Sequence, residues 1–203
     1  MLRDKLKYSY SFLFWIGLAA ILSLLYFPLL VIDPLLNRDD TLLVLPLLKV
    51  HSLSEYFYFF QSPGNYDLQP IRDISYFIDI LNLRVFALKT FHLQNLLLWI
   101  ACSFLFYRLL LKLRVENFVA KLCTALFALH PAYSGSIAWV AARKHLLAFF
   151  FLLLCLNRFF RLKEKFSTSS LGVLILFFAL SLFSQPIYVL LPLWLSLYLV
   201  LEF

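Results

Sequence analysis

Residues 11–32 form an apolar run without one charged side chain, directly after Arg3, Lys5 and Lys7. Wound as a helix at about 1.5 Å per residue, a run of that length spans the ~30 Å hydrocarbon core of a bilayer. Nothing near its end resembles a small-x-small cleavage site, since Leu25-Tyr26-Phe27-Pro28 stands there. The run therefore reads as a retained first span with its N-terminus in the cytoplasm rather than a cleaved leader. The rest of the chain is of the same kind. Of its 203 residues 63% are apolar and 19% aromatic, and the mean hydropathy is +0.87. A soluble domain is usually about 45–50% apolar, so lipid must solvate much of this surface.

Further apolar runs follow at about 93–111, 118–129, up to 157, 171–183 and from 187 to the end. The expected fold is all-α: a polytopic membrane helix bundle of about six transmembrane helices, forming one domain over residues 1–203. Both ends lie inside. Basic residues sort accordingly: Lys112, Arg114, Lys121, Arg158, Arg161, Lys163 and Lys165 fall in proposed inner loops, and the short outer turns at 130–136 and 184–186 carry no Lys or Arg. This is positive-inside sorting, and it accounts for the +7 net charge without a nucleic-acid partner. The three cysteines, Cys102, Cys123 and Cys155, sit singly in apolar runs and read as buried free thiols.

Residues 33–92 interrupt the hydrocarbon and are placed as a long first extracytoplasmic loop, in periplasm or lumen. They hold Asp33, Asp39, Asp40, Glu55, Asp67, Asp73 and Asp79, seven of the chain's eleven acids. Pro70 suits the first turn of a helix. From it, Ile71, Ile74, Phe77, Ile78 and Leu81 fall on one side and Arg72, Asp73, Tyr76 and Asp79 on the other. That pattern predicts an amphipathic helix in the interface plane. Residues 41–50 read as another, broken at Pro46, with Ser62-Pro63-Gly64-Asn65 as a turn between them.

Three sets of residues carry candidate chemistry. Adjacent carboxylates at Asp39 and Asp40 can divide roles, one as base and one as its orienting group; equally, Asp40 can cap a helix as ordinary loop charge. Arg143 and Lys144 open the apolar run 146–156. Cations there either hold a lipid phosphate or snorkel to the interface. His130, before Pro131, suits a helix end better than catalysis; with Tyr133 and Gln185 it completes the outer-turn polar residues that can support a site. The histidines have no metal-ligand spacing, and the reading admits a divalent metal without requiring one. A transporter would show internal repeats and midplane polar groups, and the sequence shows neither.

Several stretches together resemble one family. They are Asn37-Arg38-Asp39-Asp40, then Leu68-Gln69-Pro70-Ile71, then Phe91-His92-Leu93-Gln94-Asn95-Leu96, and Ala128-Leu129-His130-Pro131 running on to Ala138-Trp139-Val140-Ala141-Ala142-Arg143-Lys144. They resemble the membrane half of GT-C glycosyltransferases, especially the protein O-mannosyltransferase-like proteins that carry TPR repeats. The resemblance covers about residues 10–200. It implies a polyprenyl-phosphate-linked sugar as donor, a first-loop carboxylate (Asp39 or Asp40) as catalytic base, and loop helices roofing the site. It also implies Arg143 or Lys144 as the group that neutralises the leaving phosphate. The chain departs from the pattern where Gly135 and His145 replace acids, and where Ser184-Gln185-Pro186 replaces Ser-Lys-Glu. Two expectations follow: a GT-C-like transferase or its N-terminal part, or a catalytically degenerate membrane subunit that binds lipid or a partner membrane protein.

Overall fold

The computed structural model describes residues 2–31, 44, 49–52, 54–55, 69–86 and 90–202, with side chains between residues 12 and 201. Asp39, Asp40, the turn at 62–65 and most of 41–50 lie outside the described residues. The described chain is helical, without strands. Eight α-helices follow in order: α1 (Leu2–Val31), α2 (Pro70–Phe86), α3 (Phe91–Lys112), α4 (Asn117–Leu129), α5 (Ser134–Ala138), α6 (Arg143–Glu164), α7 (Thr168–Ser184) and α8 (Leu191–Glu202). Where no water reaches the backbone, a helix is the way for a single segment to satisfy its own N–H and C=O groups.

Three helical stretches are long and apolar enough to cross a membrane: Phe12–Val31, Phe91–Lys112 and Val140–Glu164. The helices α4, α7 and α8 are apolar but shorter. At 13, 17 and 12 residues they reach about 20, 26 and 18 Å.

Side-chain bonds give the helix directions. Asn95 bonds to the backbone just before α6, and Asn157 near the far end of α6 donates to the Leu105 carbonyl on α3. So α3 and α6 run parallel. Trp99 near the start of α3 donates to Ala128 at the end of α4 (2.9 Å), and Tyr107 to Asn117 at the start of α4 (2.7 Å). Hence α4 runs against α3. Trp15 of α1 meets Phe104 and Tyr107 of α3, while Leu18 and Leu22 join the core with Leu96 and Trp99, so α1 also opposes α3. Ser181 of α7 donates to the Ala148 carbonyl of α6 (2.8 Å), and α7 opposes α6.

The main core joins α1, α3, α4 and α6 around Leu22, Trp99, Cys102, Ala128, Ile137, Leu146 and Leu153. The outer surface is apolar: Leu24, Phe27, Leu97, Phe118, Leu126, Ile175 and Leu193 are all exposed. Such a surface fits lipid and would be an aggregation hazard in water. Cys102 and Cys155 are buried as the sequence predicts, whereas Cys123, expected to be buried too, is half-buried; all three are free thiols.

The helix predicted from Pro70 forms, and its amphipathic pattern is present. The polar side, however, does not face water. Arg72, Asp73, Ser75, Tyr76 and Asp79 are buried against the protein, together with Phe77 and Ile80. Ile74, Ile78 and Leu81 on the other side are 42%, 47% and 40% exposed. The periodicity alone defines two faces. Which one meets the protein depends on the solvent, and beside a lipid-facing bundle the polar face is the one that gains partners inside.

Candidate functional site

The site lies at the end of the bundle where α3 and α6 begin and α7 ends. Arg143, the first residue of α6, is fully buried there. Its Nη1 donates to Asp79 Oδ2 at 2.5 Å, and both side chains are 0% exposed. Its Nε donates to Asn95 Oδ1 (2.7 Å) and its Nη2 to the Phe91 carbonyl (2.7 Å). Longer contacts of Nη1 reach Ser75 Oγ and Gln94 Oε1 at 3.4 Å, and the guanidinium lies 5.0 Å from the Tyr76 ring centre. A guanidinium presents five N–H donors in a rigid fork; here protein groups of α2 and α3 occupy it.

Asp79 is held in turn. Thr90, just before α3, donates to its Oδ1 at 2.5 Å, and Asn82 donates to the Thr90 hydroxyl at 3.2 Å. Burial pushes the Asp79 carboxyl above the ordinary carboxylate range, while the Arg143 charge and the Thr90 hydrogen bond pull the other way. Asn95 serves both directions. Its oxygen takes Arg143, and its Nδ2 donates to the carbonyls of Ile137 and Trp139, each at 3.2 Å. Tyr76 donates to the Val140 carbonyl at 3.0 Å. The irregular link 130–142 is thus anchored by α2 and α3 side chains.

Gln185, which follows α7, joins the same network. Gln69 Nε2 donates to its Oε1 at 2.5 Å, Arg72 donates to Gln69 Oε1 at 3.1 Å, and Arg72 Nε meets Asp73 at 2.6 Å. Gln185 therefore ties α7 to the start of α2. His92, one turn before Asn95, is buried, and neither ring nitrogen has a hydrogen-bond partner among the described residues.

Beside this network opens a cavity of about 510 Å³ between α3, α4, α6 and the turn before α8. Aromatic rings wall it: Trp99, Phe127 and Tyr133 pack at tilted angles with centres 4.8–5.0 Å apart, and Phe149 and Tyr188 line it with them. Ser136 and His145 supply polar edges. An apolar cleft with few polar groups is the usual form of a small-molecule site.

The residues singled out in the sequence fall in distinct places. Tyr133 lines the cavity; His130 packs edge-on to it at 6.0 Å, and its Nδ1 accepts from the Ala132 N–H at 3.2 Å. That is the helix-end role its place before Pro131 suggests. Lys144 is half-buried, one residue before the cavity-lining His145. The structure brings Arg143 and Gln185 to one face of α2. Asp39 and Asp40 lie outside the described residues. Asn95, Asp79 and Trp99 were not foreseen as site residues; an amide in an otherwise apolar span was the available signal for Asn95. Among the described residues no cluster of three His, Cys, Asp or Glu side chains can hold a metal.

No protein-family model, curated protein or solved structure matches the chain.

Proposed function

We propose that the chain is a GT-C-like membrane glycosyltransferase, or the N-terminal part of one, using a polyprenyl-phosphate-linked sugar. One observation carries this reading. The helix α2 from the acidic segment is clamped across the starts of α3 and α6, next to an aromatic cavity about 510 Å³ in size. In this reading that end of the bundle faces periplasm or lumen. The six apolar helices cross in alternating directions, and the opposite end, rich in Arg158, Arg161, Lys163 and Lys165, faces the cytoplasm. The cavity takes isoprene units against Trp99, Phe127 and Phe149. Asp39 or Asp40 removes the acceptor proton, and Lys144 neutralises the leaving phosphate. Arg143 serves chiefly to hold α2, α3 and α6 in register.

The test is sugar transfer in proteoliposomes from a polyprenyl-phosphate-linked donor, comparing Asp39→Asn and Asp40→Asn with the unaltered chain. Loss of about 10²-fold or more in one variant supports a general base. Unchanged turnover in both contradicts it.

A second reading is a non-catalytic membrane subunit on the same fold. The occupied fork of Arg143 favours it, as do Gly135 and His145 where the resembled family has acids. It predicts stoichiometric binding of polyprenyl phosphate, or of a membrane protein partner, with no transfer from any donor.

A further inference from the structure

We infer that the opposite, basic end of the bundle holds a separate binding site for the phosphodiester headgroup of an anionic, hydroxyl-bearing glycerolipid. The site is a cleft of about 330 Å³ where α3, α6 and α7 meet. Four cations and one carboxylate line it: Arg108 and Lys112, one turn apart on α3, and Arg158, Arg161 and Glu164 on α6. Its apolar walls are Leu105, Leu154 and Phe177.

Topological sorting explains why basic residues collect at one end of a bundle. It does not explain why four of them converge. Free cations on long stems spread apart to reduce repulsion. Here they converge on one cleft that holds a single carboxylate, Glu164. None of the four forms an ion pair among the described residues. Lys112 donates to the Asn157 carbonyl, and Arg108 lies 6.0 Å from the Phe104 ring centre.

Two buried polar atoms give a second, independent sign. Arg158 Nε is buried and has no acceptor among the described residues. Asn157, 9% exposed, spends its Nδ2 on the carbonyls of Leu105 (3.0 Å) and Leu153 (2.8 Å), but its Oδ1 has no donor. Orphaned polar atoms of this kind are uncommon and call for a partner. A phosphodiester supplies acceptor oxygens for the arginines, and a headgroup hydroxyl supplies the donor for Asn157 Oδ1. The cleft's position at the basic end of an apolar bundle and its hydrocarbon walls fit a lipid rather than a free anion.

The experiment uses the full chain in lipid nanodiscs and native mass spectrometry after detergent extraction, with phosphatidylglycerol and phosphatidylcholine as probes. Phosphatidylglycerol is expected to be retained and phosphatidylcholine lost. Arg158→Gln with Arg161→Gln should weaken retention about thirtyfold, at roughly one surface cation's worth of binding each. Lys121→Gln with Lys165→Gln removes the same charge from the same end, outside the cleft, and should leave retention unchanged. Equal weakening by both pairs, or equal retention of both lipids, overturns the site. Displacement of phosphatidylglycerol by excess inorganic phosphate overturns the lipid assignment. If the arginine pair does not fold, headgroup preference and phosphate competition in the unaltered chain decide alone.

Discussion

Arg143 Nη1 and Asp79 Oδ2 meet at 2.5 Å with no solvent access to either side chain, joining the first residue of α6 to the third turn of α2. The two sides of this pair are unequal. Arginine stays charged in proteins, whereas an aspartate can take up a proton. Besides Asp79, Arg143 binds Asn95 and the Phe91 carbonyl; besides Arg143, Asp79 has the Thr90 hydroxyl.

Breaking the pair from either side is costly, for different reasons. Arg143→Met strips Asn95 Oδ1, the Phe91 carbonyl and Asp79 of one shared donor at once. It should destabilise the protein by about 3–5 kcal/mol, the range for breaking a buried pair from one side. Asp79→Asn keeps an acceptor for Thr90 but leaves the permanently charged Arg143 buried without a counter-charge, so a cost in the same range of about 3–5 kcal/mol is expected. Unfolding of the purified variants in mixed micelles measures both, and a cost below about 1 kcal/mol for either would be wrong for this geometry.

The same carboxyl gives a pH dependence. Its folded value is raised above the ordinary 3.8, chiefly by burial. A raised value means that its contribution to stability is complete below the ordinary value and is lost as pH rises through the folded one. Stability should therefore decline with rising pH in the window just above 3.8. Asp79→Asn should remove that part of the slope. Micelle unfolding titrations at stepped pH compare the two chains.

Thiol labelling reads the core directly. Cys102 and Cys155 are buried and Cys123 half-buried. A maleimide should modify Cys123 first in the folded protein and reach the other two on unfolding, with no gain after reductant. Rapid labelling of Cys102 without unfolding would mean that α3 does not pack as described.

The sequence carried the punctuation of this fold better than its pairings. The helix α2 starts at Pro70, and single 3-10 turns start at Pro131 and Pro186, where a missing N–H costs least, and the apolar runs became helices. Cys102 and Cys155 were legible because a lone thiol in an apolar run has nothing to do but pack. The partner of Arg143 was not legible. Asp79 lies 64 positions away, on a helix whose polar side would ordinarily be assigned to water. Amphipathic spacing names two faces, and only the surrounding solvent says which one turns inward. Gln185 looked like a turn residue and is one; that it also reaches Gln69 is a tertiary fact.

The orientation of α2 is the point on which the rest turns, and it can be measured without disturbing the buried pair. Nitroxide labels at Ile74→Cys and Ile78→Cys, on the exposed side of the helix, can be placed in a background lacking the native thiols. They are then tested in bilayers for collision with oxygen and with a water-soluble nickel chelate. With the polar face held inward by Arg143, both labels should collide mainly with oxygen, as residues in contact with lipid do. Strong collision with the nickel chelate at both positions, or protection from both reagents, would contradict it.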